Sequence, residues 1–130
     1  LKLYATKKGH SVLLVEDDPA TGRMYERGLQ QCGFRVTRAV NGIDARARLD
    51  GEAFDLVVTD LMMPQSDGYD LINTIAAIPV AERPPVIVVT GAAVSAERQA
   101  ELADNVSSIH LKSGLTPRGL AERITELLNV

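Results

Sequence analysis

Apolar residues fall in short unbroken runs, separated by longer amphipathic stretches. Ser11 to Val15 is one such run and stops abruptly at Glu16-Asp17-Asp18-Pro19, which predicts a buried strand followed by a loop. Asp18 can cap a helix that has Pro19 at its first position. Met24, Tyr25, Gly28, Leu29 and Cys32 recur on one face of that helix, and Gly33 is placed to end it. Phe34 to Ala39 alternates as a second strand, Asn41-Gly42 signals a turn, and Ile43 to Leu49 predicts a short helix with Arg46 and Arg48 outward. Asp55 to Thr59 is a third strand that ends on an acid, Asp60. Beyond a loop from Met63 to Gly68, Leu71, Ile72, Ile75 and Ile78 follow at helical spacing. Pro79 and Pro84-Pro85 frame a long connection to Val86–Val89, the most continuously apolar strand, which ends at Thr90-Gly91. Ser95 caps a polar helix that runs to Leu102, and Ser108 to Leu111 is a weaker strand that ends at Lys112. Thr116-Pro117 opens a last helix with Leu120, Ile124, Leu127 and Leu128 inward.

The sum is five strands alternating with five helices, without repeat or internal linker. Short apolar strands separated by helices imply a parallel sheet covered on both faces. Right-handed crossovers make it a doubly wound α/β sheet, whose functional residues belong at the carboxyl ends of the strands. The 130 residues are enough for one core, and 45% of them are apolar, which excludes disorder. Net charge is −3 with no basic stripe, so a phosphate footprint for nucleic acid is not expected. No apolar stretch approaches the roughly 18 residues of a membrane span. A lone cysteine, Cys32, cannot form an internal disulfide and fits a reducing, cytoplasmic compartment.

The predicted strand ends carry a selective set of side chains. The first ends in Glu16 and Asp17, the third in Asp60, the fourth in Thr90 and the fifth in Lys112. In the strand order 2-1-3-4-5 the first and third strands are neighbours, and three carboxyl groups converge. Bare, they repel, and a hard cation with oxygen ligands relieves that repulsion. Mg²⁺ suits the set, because it takes one or two carboxylates, a carbonyl and several waters. With a lysine and a hydroxyl on the neighbouring ends, the parts describe a phosphoryl-transfer pocket. Any one strand-end acid is more often a cap or turn residue. Five suitable residues on four strand ends are harder to dismiss.

Val12-Leu13-Leu14-Val15-Glu16-Asp17-Asp18-Pro19, Asp60-Leu61-Met62-Met63-Pro64-Gln65-Ser66-Asp67-Gly68 and Val86-Ile87-Val88-Val89-Thr90-Gly91 closely resemble the receiver domains of two-component response regulators. The resemblance runs from about Ser11 to Leu128 and implies a flavodoxin-like (βα)5 fold, with residues 1–10 as a polar lead-in and 11–130 as the receiver. It implies that Asp60 is the phosphoacceptor, that Asp17 ligates Mg²⁺ directly and Glu16 through water, and that the Met62 carbonyl completes the protein's share. Thr90 and Lys112 would bind phosphoryl oxygens, and Gly91 would leave room for the incoming group. The implied donor is a phosphohistidine on a sensor histidine kinase or a histidine phosphotransfer protein. The implied output is a two-state shift of the face around the fourth helix and fifth strand, which can also pair two copies. The family is a signalling domain without turnover of its own beyond slow autodephosphorylation.

Several positions depart from the pattern. Ser113 stands where proline usually follows the lysine, which predicts either a trans bond with a shifted Lys112 or a cis bond costing about 3 kcal/mol. Ile109 replaces the usual aromatic, and Ala103–Ser108 lacks the familiar glycine, so the fourth helix is expected to be short or irregular. Met62 and Ala92 border the attacking water in such domains, and neither can orient it, which predicts a long-lived phosphoaspartate.

Three other readings compete. A degenerate receiver would bind partners without phosphorylation, but Asp60 is present. A phosphatase with an aspartyl-phosphate intermediate would want Asp-x-Asp, and the second residue past Asp60 is Met62. A flavin-binding protein would want a phosphate-cradling first loop, which here is acidic. His10, His110, Cys32, Met63, Arg98 and Arg118 read as structural or solvated residues. The non-methionine start favours a receiver cut from a longer protein, such as a hybrid histidine kinase, over a stand-alone regulator.

Overall fold

A computed structural model describes residues 10–63 and 68–128. Apart from His10, the expected lead-in lies outside the described residues, as do the loop positions 64–67 and the last two residues. Five parallel strands form one sheet in the order β2-β1-β3-β4-β5. They are β1 (Ser11–Val15), β2 (Arg35–Ala39), β3 (Leu56–Thr59), β4 (Val86–Thr90) and β5 (Ser108–Leu111). Five helices alternate with them: α1 (Pro19–Gln31), α2 (Gly42–Gly51), α3 (Gly68–Ala76), α4 (Ala96–Leu102) and α5 (Pro117–Leu128). The architecture is the doubly wound one expected from the periodicity.

Every residue of β3 and β4 is buried, which is why these two strands read as unbroken apolar runs. Alternate residues of each strand serve opposite layers. Leu13, Val15, Val57 and Val88 face a cluster with Leu71, Ile72 and Ile75 of α3. Val12, Leu14, Val58 and Ile87 face one with Tyr25 and Leu29 of α1 and Leu120 and Ile124 of α5. The helix signals act as expected. The Asp18 carboxylate accepts from the Thr21 amide at 3.0 Å with Pro19 behind it, and Gly33 takes φ 99° to close α1. Ser95 caps α4, which spans only 7 residues. Among the described residues no helix is long and apolar enough to cross a membrane.

Met24 departs from its expectation. The buried face of α1 is Gly22, Tyr25 and Leu29, and Met24 falls just outside that arc at 47% exposure. Met63, read as loop, is buried in the core beneath α3.

Candidate functional site

The sheet order places β1 and β3 side by side, with their helices departing to opposite faces. That switch point opens a crevice at the carboxyl ends. Glu16 and Asp17 follow β1, Asp60 follows β3, Thr90 closes β4 and Lys112 follows β5, so the expected set does meet at one end of the sheet. One carboxylate oxygen from each of Glu16, Asp17 and Asp60 lies within 4.8 Å of the others. Lys112 Nζ sits between two of them, 2.6 Å from Glu16 Oε1 and 2.8 Å from Asp60 Oδ2.

The backbone holds these side chains in place. The Glu16 amide donates to the Ala39 carbonyl of β2, and the Asp60 amide to the Val15 carbonyl of β1, so each acid is tied to a neighbouring strand. The Met62 amide donates to Asp60 Oδ1 at 3.1 Å and orients that carboxylate. The Asp18 amide does the same for Glu16 Oε2 at 3.1 Å. Gly68 is the close neighbour behind the site. A Cβ there would stand 2.1 Å from the Asp60 carbonyl oxygen and 2.9 Å from Leu61 Cα, so only glycine allows α3 to start against this turn.

Burial shapes the electrostatics. Glu16 and Asp60 are 3% and 5% exposed. Burial pushes the Glu16 carboxyl above the ordinary glutamate range, more strongly than Lys112 pulls it down. Lys112 is held above the ordinary lysine value because its two carboxylate partners outweigh its own desolvation. The ammonium is therefore the well-satisfied member, and negative charge remains in excess. Asp17 makes no ion pair among the described residues and opens to solvent. All-oxygen donors, an uncompensated charge and one open side fit a hard divalent cation such as Mg²⁺.

Other expected residues differ in detail. Thr90 is 1% exposed, at the end of β4 beside the acidic group. Met62 is two-thirds exposed, so its side chain flanks the site from the solvent side. Gly91 faces open space, where a Cβ would meet nothing within 4 Å, so its packing does not require glycine. All described peptide bonds are trans, the Lys112-Ser113 bond included, and Lys112 still reaches Asp60 directly. Sequence reasoning missed Gly68 as a packing partner of the Asp60 turn. It also missed Tyr25, whose hydroxyl donates to the Leu115 carbonyl at 2.8 Å and ties α1 to the turn after Lys112.

The sequence pattern of the response regulator receiver domain matches residues 12–124. This chain belongs to the response regulator receiver domain family. Its relatives include the transcriptional regulatory protein GltR of Pseudomonas aeruginosa, 32% identical over 120 residues that cover 92% of this chain and 49% of that protein. An uncharacterized 14.6 kDa protein of Leptolyngbya boryana is 37% identical over 91 residues, 70% of each chain. The chain thus spans about half the length of GltR and 43% of the probable transcriptional regulator ycf29 of Porphyra purpurea. Among solved structures, a CheY-like receiver domain protein from Methanospirillum hungatei superposes with a TM-score of 0.85 at 26% identity, covering 94% of this chain and 95% of that one. The receiver domain of a Pseudomonas aeruginosa sensor histidine kinase has a TM-score of 0.81 at 27% identity, with 94% and 99% covered, and has magnesium coordinated in its active site cleft.

Proposed function

We propose that this receiver domain accepts a phosphoryl group on Asp60 from a partner phosphohistidine and thereby switches a protein partner. The contact that carries the reading is the 2.8 Å pair between Lys112 Nζ and Asp60 Oδ2, made beside an excess of carboxylate charge. Asp60 has a backbone donor on one carboxylate oxygen and a lysine on the other, which fixes its plane for in-line attack. Asp60 attacks phosphorus as the P–N bond of the phosphohistidine breaks. The bonding pair leaves with the imidazole, which takes up a proton, and an acyl phosphate remains on Asp60. Lys112 neutralises charge on the transferring oxygens, and the Thr90 hydroxyl supplies a donor to one of them. Asp17, Glu16 and Asp60, with the Met62 carbonyl, would hold Mg²⁺, which supplies Lewis-acid charge neutralisation when bound.

The donor in this reading is a sensor histidine kinase or a histidine phosphotransfer protein, acting in the cytoplasm. Residues 11–130 form the receiver unit and residues 1–10 lead into it. Met62 and Ala92 offer no group to orient a hydrolytic water, so the phosphoryl group persists. The output face is α4 with β5, where two phosphorylated copies can pair.

Intact mass after incubation with acetyl phosphate and Mg²⁺ tests the chemistry. A gain of about 80 Da, lost in Asp60→Ala and without Mg²⁺, supports it. Failure to gain mass, also with a phosphorylated kinase, would leave a phosphorylation-independent binding module.

A further inference from the structure

Lys112 is already shared between Glu16 and Asp60 before any phosphoryl group arrives. A second cation borders the same site. A cavity of about 250 Å³ is lined by Leu61, Met62, Tyr69, Thr90, Val94 and Arg98, among others. Leu61 and Met62 directly follow Asp60, and Thr90 ends the neighbouring strand, so one wall of the cavity is the wall of the phosphoacceptor pocket. Arg98, on α4, forms part of the same lining.

The present contacts of Arg98 are weak. Its guanidinium lies 4.8 Å from the centroid of the Tyr69 ring of α3. It also pairs with Glu101 at 3.2 Å, with both side chains more than half exposed. Contacts of this kind at exposed positions are worth about 1 kcal/mol or less each. The helix that carries Arg98 is itself lightly held. Of the seven residues of α4 only Leu102 is buried. Such segments move at small energetic cost.

A phosphoryl group on Asp60 changes the balance. It brings roughly 1.5 to 2 negative charges and three strong acceptor oxygens to one wall of the cavity. Lys112 is committed on the β5 side, and the cation that lines the cavity side is Arg98. The cavity has room for a planar guanidinium, whose forked donors suit phosphoryl oxygens.

We propose that Arg98 is a second phosphoryl-responsive cation: phosphorylation of Asp60 draws its guanidinium off the Tyr69 ring into the shared cavity, and α4 moves with it. This rests on Asp60 being the phosphoacceptor. It assigns the link between site and output face to one side chain. Arg98 is a positioning residue that also shields the acyl phosphate from the cavity's water.

The test follows arginine side-chain Nε–H signals by NMR and amide exchange over Ala96–Leu102, with and without acetyl phosphate and Mg²⁺. Wild type is compared with Arg98→Met and Arg98→Lys, and intact mass is recorded on each sample. In phosphorylated wild type the Arg98 signal, identified by its loss in Arg98→Met, shifts, and α4 exchange changes. Arg98→Met gains the same mass, which certifies a folded pocket, but its α4 exchange does not respond. It loses the phosphoryl group about threefold faster, the factor expected of one half-exposed ion pair. Arg98→Lys keeps the charge and recovers part of the lifetime. An unmoved Arg98 signal, or the same α4 response in Arg98→Met as in wild type, overturns the inference while the mass gain stands. Absence of the mass gain in wild type removes the phosphoacceptor reading and this inference with it.

Discussion

Lys112 reaches Asp60 across β4: the two residues follow β5 and β3, strands that never pair, yet Nζ and Oδ2 are 2.8 Å apart. The same ammonium touches Glu16 at 2.6 Å, so one cation spans acids from two strands. It does so with serine at position 113 and a trans bond before it. Replacing Lys112 by Met leaves both buried carboxylates without their cation. The rate of mass gain from acetyl phosphate should fall about 10²-fold, the usual effect of removing one preorganised charge-stabilising group. An unchanged rate in Lys112→Met would remove Lys112 from the machinery.

Gly68 offers a test of the backbone behind Asp60. A methyl group at this position collides with the Asp60 carbonyl and Leu61 Cα, neither of which is a flexible side-chain end. Gly68→Ala should destabilise the fold by about 1–3 kcal/mol in urea unfolding despite alanine's better helix propensity. It should also slow modification of Asp60, because the displaced turn carries that side chain.

The Tyr25 hydroxyl is the tie between α1 and the turn after Lys112. Tyr25→Phe keeps the ring in its place within the α1 layer and leaves the Leu115 carbonyl without this donor. A loss of about 1 kcal/mol is expected from chemical denaturation. The loss should come with broadened Lys112–Leu115 amide signals, which distinguishes it from a uniform core effect.

His110 lies on β5 with its Nε2 2.9 Å from the Ser108 hydroxyl, and Arg123 of α5 approaches the same hydroxyl at 3.4 Å. Burial and, secondly, the Arg123 charge hold its pKa below the usual 6.5. Neutral imidazole is thus favoured by the fold. The contribution to stability is fully present above pH 6.5 and is lost as pH falls through the folded-state value. NMR titration should place His110 below free histidine, and Arg123→Met should raise it part of the way, since burial is the larger cause. A normal titration midpoint would contradict the arrangement.

Most of the architecture was readable because each element carried its own punctuation. Asp18-Pro19, Gly33, Asn41-Gly42, Ser95 and Thr116-Pro117 sit at the element boundaries they predict. The site residues were readable because parallel topology sends every strand's carboxyl end to one edge. What escaped depends on contacts between elements distant in sequence. Met24 shares the helical stripe of Tyr25 and Leu29 by spacing alone, but the crossing of α5 covers only part of that arc. Arg98 is more than half exposed, as a solvated cation should be, but nothing local announces the Tyr69 ring of another helix 4.8 Å from its guanidinium. Gly68 read as a turn residue, and its tight approach to the Asp60 carbonyl emerges only once α3 is docked.

On the proposed phosphoacceptor reading, the bridging ammonium also ties signalling competence to the completion of folding. Glu16 follows the first strand and Lys112 the last, so their meeting closes a loop that contains the other four strands. Contacts of such high sequence separation form late and cost the most chain entropy. A molecule whose fifth strand has not yet docked, or has been clipped away, still displays the acidic pair but lacks its counter-charge. On the proposed phosphoacceptor reading, such an immature molecule makes a poor acceptor, and the signal is withheld until the last strand is in place.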